Sequence, residues 1–165
     1  MKSNTFKEYI QPSVVLVAIC LVITFALAYV NSITSPIIAE NTRKAAEETR
    51  KVLLPAAQSF EEYTGDLVEG MVVTVKSASF VGLLTEMVGI DANGAITGVK
   101  VTAHADTKGL GTKAHEGKYV TQYEGLDTLA FADNVKGDPA IEHVSGATIS
   151  TNGVYQGVCA ALKQF

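Results

Sequence analysis

The chain carries no acidic or basic residue between Glu8 and Glu40. Within that stretch residues 14–30 read VVLVAICLVITFALAYV, which is apolar almost throughout. About 20 mostly apolar residues suffice for a helix to cross the hydrocarbon core of a bilayer. Because backbone groups in lipid must bond within their own segment, such a stretch should be helical. The sequence therefore predicts a transmembrane helix at 12–31, preceded by a short N-terminal tail at 1–11.

The same stretch can also be interpreted as a cleaved secretory signal, because residues 26–28 read Ala-Leu-Ala after two N-terminal lysines. The apolar part of a signal peptide usually spans about 7–15 residues, and this run is longer, which favours a retained anchor. Tyr9 and Tyr29 stand near its ends, where interfacial aromatic residues are expected. Four basic residues follow within 43–51, so the charge balance weakly opposes a cytoplasmic N-terminus.

A second helix is predicted directly after the anchor. Ser35-Pro36 matches a helix N-cap followed by proline at the first helical position. Glu40 and Lys44 form an i,i+4 pair in the favourable order, and Pro55 ends the run of good helix formers. We expect a solvated stalk helix at 32–55, with a partner-binding helix as the alternative.

The rest of the chain, 56–165, changes to a pattern of strands and turns. The stretch 72–76 is rich in β-branched residues, and 80–90 is apolar with two glycines. A turn-forming run, Asp91-Ala92-Asn93-Gly94, separates it from 95–102, where apolar and polar residues alternate. This pattern predicts a β-hairpin with one buried face.

Helical periodicity returns near the C-terminus. Val154, Val158 and Leu162 recur at i, i+4 and i+8 within a predicted helix from Ser150 to Leu162. The expected fold class is therefore α+β: one N-terminal transmembrane helix, a stalk helix, and a small domain whose antiparallel sheet is flanked by helices.

Composition and charge exclude several classes of function. With 13 Lys and Arg against 17 Asp and Glu, the net charge is −4, and no basic stripe is present for a nucleic acid. Cys20 and Cys159 lie far apart, outside any C-x-x-C or Cys/His cluster, so we expect no zinc or iron–sulfur site. A hydrophobic content of 47% with only 18% charged residues indicates that lipid contacts part of the chain.

The run Ser145-Gly146-Ala147-Thr148 combines a hydroxyl, an unencumbered backbone and a predicted helix start. Gly146 permits unusual backbone angles, and its small neighbours leave Thr148 accessible to a modifying enzyme. Ser150 or Thr151 could cap the following helix, whose N-terminus would favour a phosphate through free N–H groups and the helix dipole. The run therefore predicts an anion site beside an acceptor hydroxyl, although an ordinary turn and cap use the same residue types.

Together with Glu142, that run resembles the D-x-x-[S/T]-G-A-[S/T] signature of the FMN-binding domain family. The segment His104-Ala105-Asp106-Thr107-Lys108-Gly109-Leu110-Gly111 resembles the H-x-E-T-P-G-L-G segment that lies against the flavin in that family. Glu142, Asp106 and Lys108 stand where the family usually has Asp, Glu and Pro. The order of elements also agrees, from membrane helix to closing helix. The short chain favours the G subunit of the Rnf complex over the C subunit of the Na⁺-translocating NADH:quinone reductase.

The resemblance implies FMN bound covalently, as a phosphoester, to Thr148 by a separate FMN transferase that uses FAD. It further implies a cofactor-binding set consisting of Glu142, Ser145, Gly146, Ala147, Ser150, His104, Asp106, Thr107, Gly109, Leu110 and Gly111, with no metal and no complete active site in this chain alone. The implied function is electron relay within an ion-translocating ferredoxin:NAD⁺ oxidoreductase, with its other membrane subunits as partners. The implied location is the inner (cell) membrane, with a cytoplasmic N-terminus and the FMN domain on the outer, periplasmic side.

Other interpretations remain open from the residues themselves. His104 beside Asp106 could be a general base, yet the sequence shows neither a nucleophile nor a substrate pocket. We interpret His104 as a polar wall or hydrogen-bond donor to the flavin, with a purely structural loop residue as the alternative. A membrane-tethered binding or assembly module without flavin, or an FMN domain of another respiratory complex, would also fit the chain.

Overall fold

The computed structural model describes residues 11–55, 57, 60 and 70–165. Its helices and strands are α1 (Gln11–Leu53), β1 (Gly70–Ser79), β2 (Gly82–Asp91), β3 (Ile96–Ala103), α2 (Lys118–Thr121) and α3 (Thr148–Leu162), with short 3₁₀ turns at Gly111–His115 and Val135–Gly137. The chain divides into two compact units, Met1–Ala45 and Ala46–Phe165. The predicted tail at 1–11, with Tyr9, lies almost entirely outside the described residues.

The first unit contains the apolar part of α1. Among the described residues this helix is the one long and apolar enough to cross a membrane, with a mean hydropathy of 2.7 over an 18-residue window. The hydroxyls of Thr24 and Ser32 donate to the carbonyls of Cys20 and Tyr29, each at 2.8 Å. These hydroxyl hydrogens are thus satisfied within the helix, as an apolar surrounding requires.

The prediction that a new helix begins at Ser35-Pro36 was wrong, because α1 runs through Pro36 without a break. Proline has no N–H to donate to the carbonyl of Ser32, a defect that costs about 3 kcal/mol in a helix interior. Good helix formers on both sides continue the helix across that point. The predicted end is confirmed, since α1 stops at Leu53, two residues before Pro55.

The predicted sheet is confirmed as an antiparallel meander with β2 in the centre. Val73 pairs with Val88, which pairs in turn with Val99, and all three are buried. α3 packs on this face of the sheet with Val154 and Val158 fully buried, so its predicted apolar periodicity is also confirmed. The core of the second unit therefore lies between α3 and the meander.

The end of α1 packs on the sheet face opposite to α3. Gly89 and Gly98 pair across β2 and β3. A Cβ at Gly89 would lie 2.9 Å from the carbonyl oxygen of Leu53, and one at Gly98 would lie 3.0 Å from the Leu53 side chain. The hydroxyl of Thr97 donates to that same carbonyl. Two strand positions without side chains thus make the room that lets Leu53 become buried against the sheet.

The predicted turn after β2 is confirmed. Asp91 Oδ1 accepts the N–H groups of Asn93 and Ala95 at 2.8 and 2.9 Å. Gly94 has a φ of 88°, a left-handed angle that a residue with a side chain rarely adopts. The short polar side chain of Asp91 and the glycine together close the hairpin between β2 and β3.

Candidate functional site

A groove of about 240 Å³ lies at the N-terminal end of α3. Its walls come from the histidine-containing segment, the small-residue run and their neighbours, namely Phe80, Thr107, Leu110, Gly111, Gly146, Ala147, Thr148, Ile149 and Ser150. The fold therefore brings together the two segments that carry the resemblance to the FMN-binding family, although they are far apart in sequence.

The chain turns at Gly146, where φ is 83°, and α3 then begins at Thr148 rather than at Ser150 as predicted. Ala147 occupies the N-cap position and has no side-chain cap. The prediction that Ser150 or Thr151 caps the helix was wrong, because the earlier helix start places both residues inside it. Thr151 instead donates its hydroxyl to the carbonyl of Ala147 at 3.0 Å and accepts the N–H of Val144 at 3.1 Å.

The start of α3 fits a phosphate group. The first N–H groups of a helix have no acceptor within it, and Ala147 offers no side-chain oxygen to take their place. The positive end of the helix dipole adds to the attraction for an anion. Thr148 is partly buried at this helix start, next to exposed Gly146. Among the described residues, the one atom within 4 Å of a Cβ placed at Gly146 would be a methyl carbon of Leu110 at 3.8 Å, so the backbone turn before Thr148 is open.

Asp106 lies behind the wall of the groove, with a side chain only 1% exposed. It accepts hydrogen bonds from the hydroxyl of Ser79 and, at 3.1 Å, from the N–H of Val81, and the hydroxyl of Ser150 lies close to it. Burial acts to raise the pKa of Asp106, but these hydrogen bonds and the neighbouring His115 hold the pKa below its ordinary value. Asp106 is therefore a buried anion that links the end of β1, the turn after it and the first turn of α3.

His115, which sequence analysis did not select, contacts Asp106 from the 3₁₀ turn. Its Nε2 lies 3.1 Å from Asp106 Oδ2, in an approach not aligned as a hydrogen bond. Its ring centroid lies 4.6 Å from that of His104. Burial and then His104 lower the pKa of His115, against the opposing effect of the Asp106 and Glu116 charges. The His115 imidazole therefore becomes protonated only at a lower pH than an exposed histidine does.

Several predicted site residues lie away from the lining of the groove, namely His104, Gly109, Glu142 and Ser145, all exposed. Glu142 forms an ion pair with Lys118, whose hydrogen bond and charge lower the pKa of that carboxyl. The backbone of Glu142 is held by Gln122, which accepts its N–H at 2.8 Å and donates to its carbonyl at 3.1 Å. These contacts fix the backbone three residues before the run Ser145-Gly146-Ala147-Thr148.

Sequence reasoning missed two residues of the groove. Ile149 is next to Thr148 in sequence, and Phe80, the first residue of the apolar stretch 80–90, lies in the turn before β2. Both side chains are more than half exposed, at 56% and 67%. Ile149 could have been predicted as a groove residue because it directly follows Thr148. No local pattern in the sequence predicts that Phe80 lies beside α3.

Two family models match the chain. The model of the FMN-binding domain matches residues 80–163, just over half of the chain. The model of the RnfG N-terminal region matches residues 1–52. The first match contains every residue that lines the groove, and the second contains the apolar part of α1.

Relatives with assigned names resemble the chain over most of its length. The G subunit of the proton-translocating ferredoxin:NAD(+) oxidoreductase complex of Clostridium ljungdahlii is 25% identical, over 88% of this chain and 85% of its own. The G subunit of the Na(+)-translocating complex of Acetobacterium woodii is 25% identical, over 97% and 93%. The G subunit of the ion-translocating oxidoreductase complex of Methanosarcina acetivorans is 26% identical, over 94% of both. The chain therefore belongs to the FMN-binding domain family, and within it to the type represented by the G subunits of Rnf electron-transport complexes.

Proposed function

We propose that this chain is a membrane-anchored electron-transfer subunit that carries FMN in phosphoester linkage to Thr148, within an ion-translocating ferredoxin:NAD⁺ oxidoreductase. The observation that carries the proposal is the groove in which Thr148, at the start of α3, meets Thr107, Leu110 and Gly111. The FMN-binding domain match and the names of the full-length relatives support the same cofactor and the same kind of complex.

Attachment of the cofactor requires no change of oxidation state. The hydroxyl oxygen of Thr148 attacks the phosphorus on the flavin side of the FAD pyrophosphate, the bond from that phosphorus to AMP breaks, and AMP leaves. The hydroxyl proton passes to a base of the transferase, which is the proposed transient partner. The chain contributes the hydroxyl, free N–H groups at the start of α3 to bind the phosphate, and the bare backbone of Gly146 to admit the enzyme.

Once FMN is bound, it supplies the electron-accepting and electron-donating chemistry, and the protein binds and orients it. Thr107 lines the groove with a hydroxyl that can donate to an acceptor atom of the ligand. Gly111 has no side chain, and this allows its backbone, which lines the groove, to pack directly on Asp106. The described part of the chain contains no group of three or more metal-ligating side chains, and no metal is assigned to the site.

The anchor is proposed to be the part of α1 at 12–31, with 32–55 as the stalk that connects it to the FMN domain. In the proposed topology the N-terminus is cytoplasmic and the domain lies on the outer side of the cell membrane. A covalent bond then retains the cofactor where dissociated FMN would be lost. The partners are the lipid around α1 and the other membrane subunits of the complex.

The test is expression of the full chain with and without an FMN transferase, followed by denaturation and detection of flavin fluorescence that stays with the polypeptide. We expect fluorescence only with the transferase, and a peptide containing Thr148 that carries the added mass of FMN. Thr148→Ala should lose the label completely. Thr107→Ala removes the other threonine of the groove and should keep it.

Two outcomes would contradict the proposal. An unmodified Thr148 peptide in the presence of an active transferase would favour a binding or assembly module without covalent flavin. A flavin label retained by Thr148→Ala would show that FMN is attached to another residue. Co-purification of the chain with its neighbouring subunits then distinguishes an Rnf-type complex from another respiratory complex.

A further inference from the structure

Three large apolar side chains stand exposed around the groove. Phe80, Leu110 and Ile149 are 67%, 49% and 56% exposed, while the other lining residues are glycine, alanine, serine and threonine. Exposed apolar side chains that converge on a concave surface are typical of a binding site for an apolar ligand. The small residues leave room for that ligand, and the large ones offer it apolar walls.

The position of Phe80 is determined by its two neighbours. The turn between β1 and β2 consists of Phe80 and Val81, since Ser79 pairs with Gly82. The hydroxyl of Ser79 and the N–H of Val81 both donate to the carboxylate of Asp106. Phe80 therefore lies between two residues that the same buried anion holds in place.

Asp106 holds the opposite wall of the groove as well. Ser150, directly after Ile149 in the first turn of α3, lies next to Asp106, and its hydroxyl favours the charged carboxylate. A Cβ at Gly111 would lie 2.8 Å from Cβ of Asp106 and 2.9 Å from Oγ of Ser150, so the backbone at Gly111 packs tightly on this pair. One buried carboxylate thus sets the separation between the Phe80 turn and the start of α3.

We propose that Phe80, Leu110 and Ile149 bind the isoalloxazine ring of the FMN attached to Thr148, and that Asp106 is the positioning residue that holds Phe80 and Ile149 around that ring. This inference rests on the proposed function, because the tether to Thr148 is what keeps the ring near these side chains. The ring is flat and largely apolar, and it is connected through the ribityl phosphate to a residue lining the same groove. Asp106 acts from behind the wall and does not contact the ring.

The covalent bond makes the ring site testable without loss of the cofactor. We compare the labelled full chain in detergent with Phe80→Ala and with the matched control Leu83→Ala. Leu83 is 65% exposed on the adjoining strand but does not line the groove. Mass spectrometry first establishes that each variant carries one FMN. Iodide quenching and the anisotropy of flavin fluorescence then report how exposed and how mobile the ring is.

Removal of an aromatic contact should shift the equilibrium between the docked and the free ring about tenfold toward the free ring. Phe80→Ala should therefore raise iodide quenching and lower anisotropy, and Leu83→Ala should leave both at the wild-type values. Asp106→Asn, which keeps the size of the side chain but removes its charge, should change both signals in the same direction as Phe80→Ala. Ser79→Ala removes one of the hydrogen bonds to Asp106 and should have a smaller effect.

The outcomes separate the two proposals. A fully labelled Phe80→Ala variant with wild-type quenching and anisotropy would overturn the ring site while leaving the attachment at Thr148 intact. A labelled Asp106→Asn variant with unchanged anisotropy would overturn the positioning role alone. A wild-type chain that takes up no FMN would overturn the proposed function and the ring site together.

Discussion

The carboxyl group of Glu86 on β2 lies directly against Gly157 on α3: a Cβ at Gly157 would be only 1.5 Å from Oε1 of Glu86. Glu86 is completely buried, and neither of its carboxyl oxygens has a hydrogen-bond partner among the described residues. Burial raises the pKa of Glu86 well above its ordinary value. Glu86 therefore keeps its proton to a higher pH than an exposed glutamate does, and glycine at 157 is what allows α3 to approach the sheet there.

Gly157→Ala should destabilise the domain by about 1–3 kcal/mol, the range for an added methyl group in a filled core. The new methyl group would collide with the Glu86 carboxyl, and either the side chain or α3 would have to move. Urea unfolding of the full chain in detergent, followed through the fluorescence of buried Tyr123 and Tyr155, measures the change. The double variant Glu86→Ala/Gly157→Ala should lose less stability than the sum of the losses in the two single variants. A wild-type unfolding free energy for Gly157→Ala would contradict this contact.

Glu86 should make the stability of the domain fall as the pH rises above 4.5, its unfolded pKa. Above that pH the unfolded chain has released the proton that the folded state still holds. Up to the folded pKa, each pH unit then lowers the free energy of unfolding by about 1.4 kcal/mol through Glu86. Asp106 and Asp138 have lowered pKa values in the folded state, so their effect on stability has the opposite sign. Each stabilises the domain when charged, and this stabilisation is lost only as the pH falls through its folded pKa.

The measurement for Glu86 is the unfolding free energy at intervals between about pH 5 and about pH 8. Glu86→Gln has no carboxyl to titrate, so its stability should decline less over this range even if its value at low pH is reduced. Glu124→Gln, at an exposed position, serves as the control and should keep the wild-type slope. Equal slopes for wild type and Glu86→Gln would show that Glu86 does not hold its proton in the folded state.

Gly146→Ala should cost about 1–2 kcal/mol, because φ at this position is 83° and left-handed angles are unfavourable for residues with a side chain. Gly82→Ala is the matched control, with a φ of 77° and no atom of the described residues within 4 Å of a Cβ placed there. Both variants should lose similar stability in urea. Only Gly146→Ala should also slow FMN incorporation by the transferase, since Gly146 adjoins the acceptor segment. Equal rates of FMN incorporation into the two variants would show that the backbone turn at Gly146 has no role in the attachment.

Thr151→Val should destabilise the turn before α3 by about 1–3 kcal/mol, because the N–H of Val144 would be left buried without its acceptor. The bond to the carbonyl of Ala147 is lost in the same variant. Thr121→Val, which removes a hydroxyl from an exposed position on α2, is the control and should cost far less. Urea unfolding of both variants checks the difference, and equal losses would show that Thr151 does not stabilise the turn.

Features that depend on neighbours along the chain were predictable from the residues alone. The apolar run of α1, the hairpin at Asp91–Gly94 and the buried face of α3 follow from composition and period, because local geometry decides which side chains share a face. The small-residue run was likewise visible as a turn before a helix. The role of Thr148 as the attachment point remains a prediction.

Only the tertiary structure determined the burial and the pKa of residues that contact distant parts of the chain. The family resemblance includes Asp106 in the cofactor-binding set, and that role remains a prediction. Its burial beside Ser79, Val81 and Ser150 could not be predicted, because these residues come from two other parts of the fold. The position of Phe80 in the groove could not be predicted for the same reason. The raised pKa of Glu86 depends on α3 covering β2 at Gly157. Burial and charge state are set by packing between segments far apart in sequence, and a local pattern contains no record of that packing.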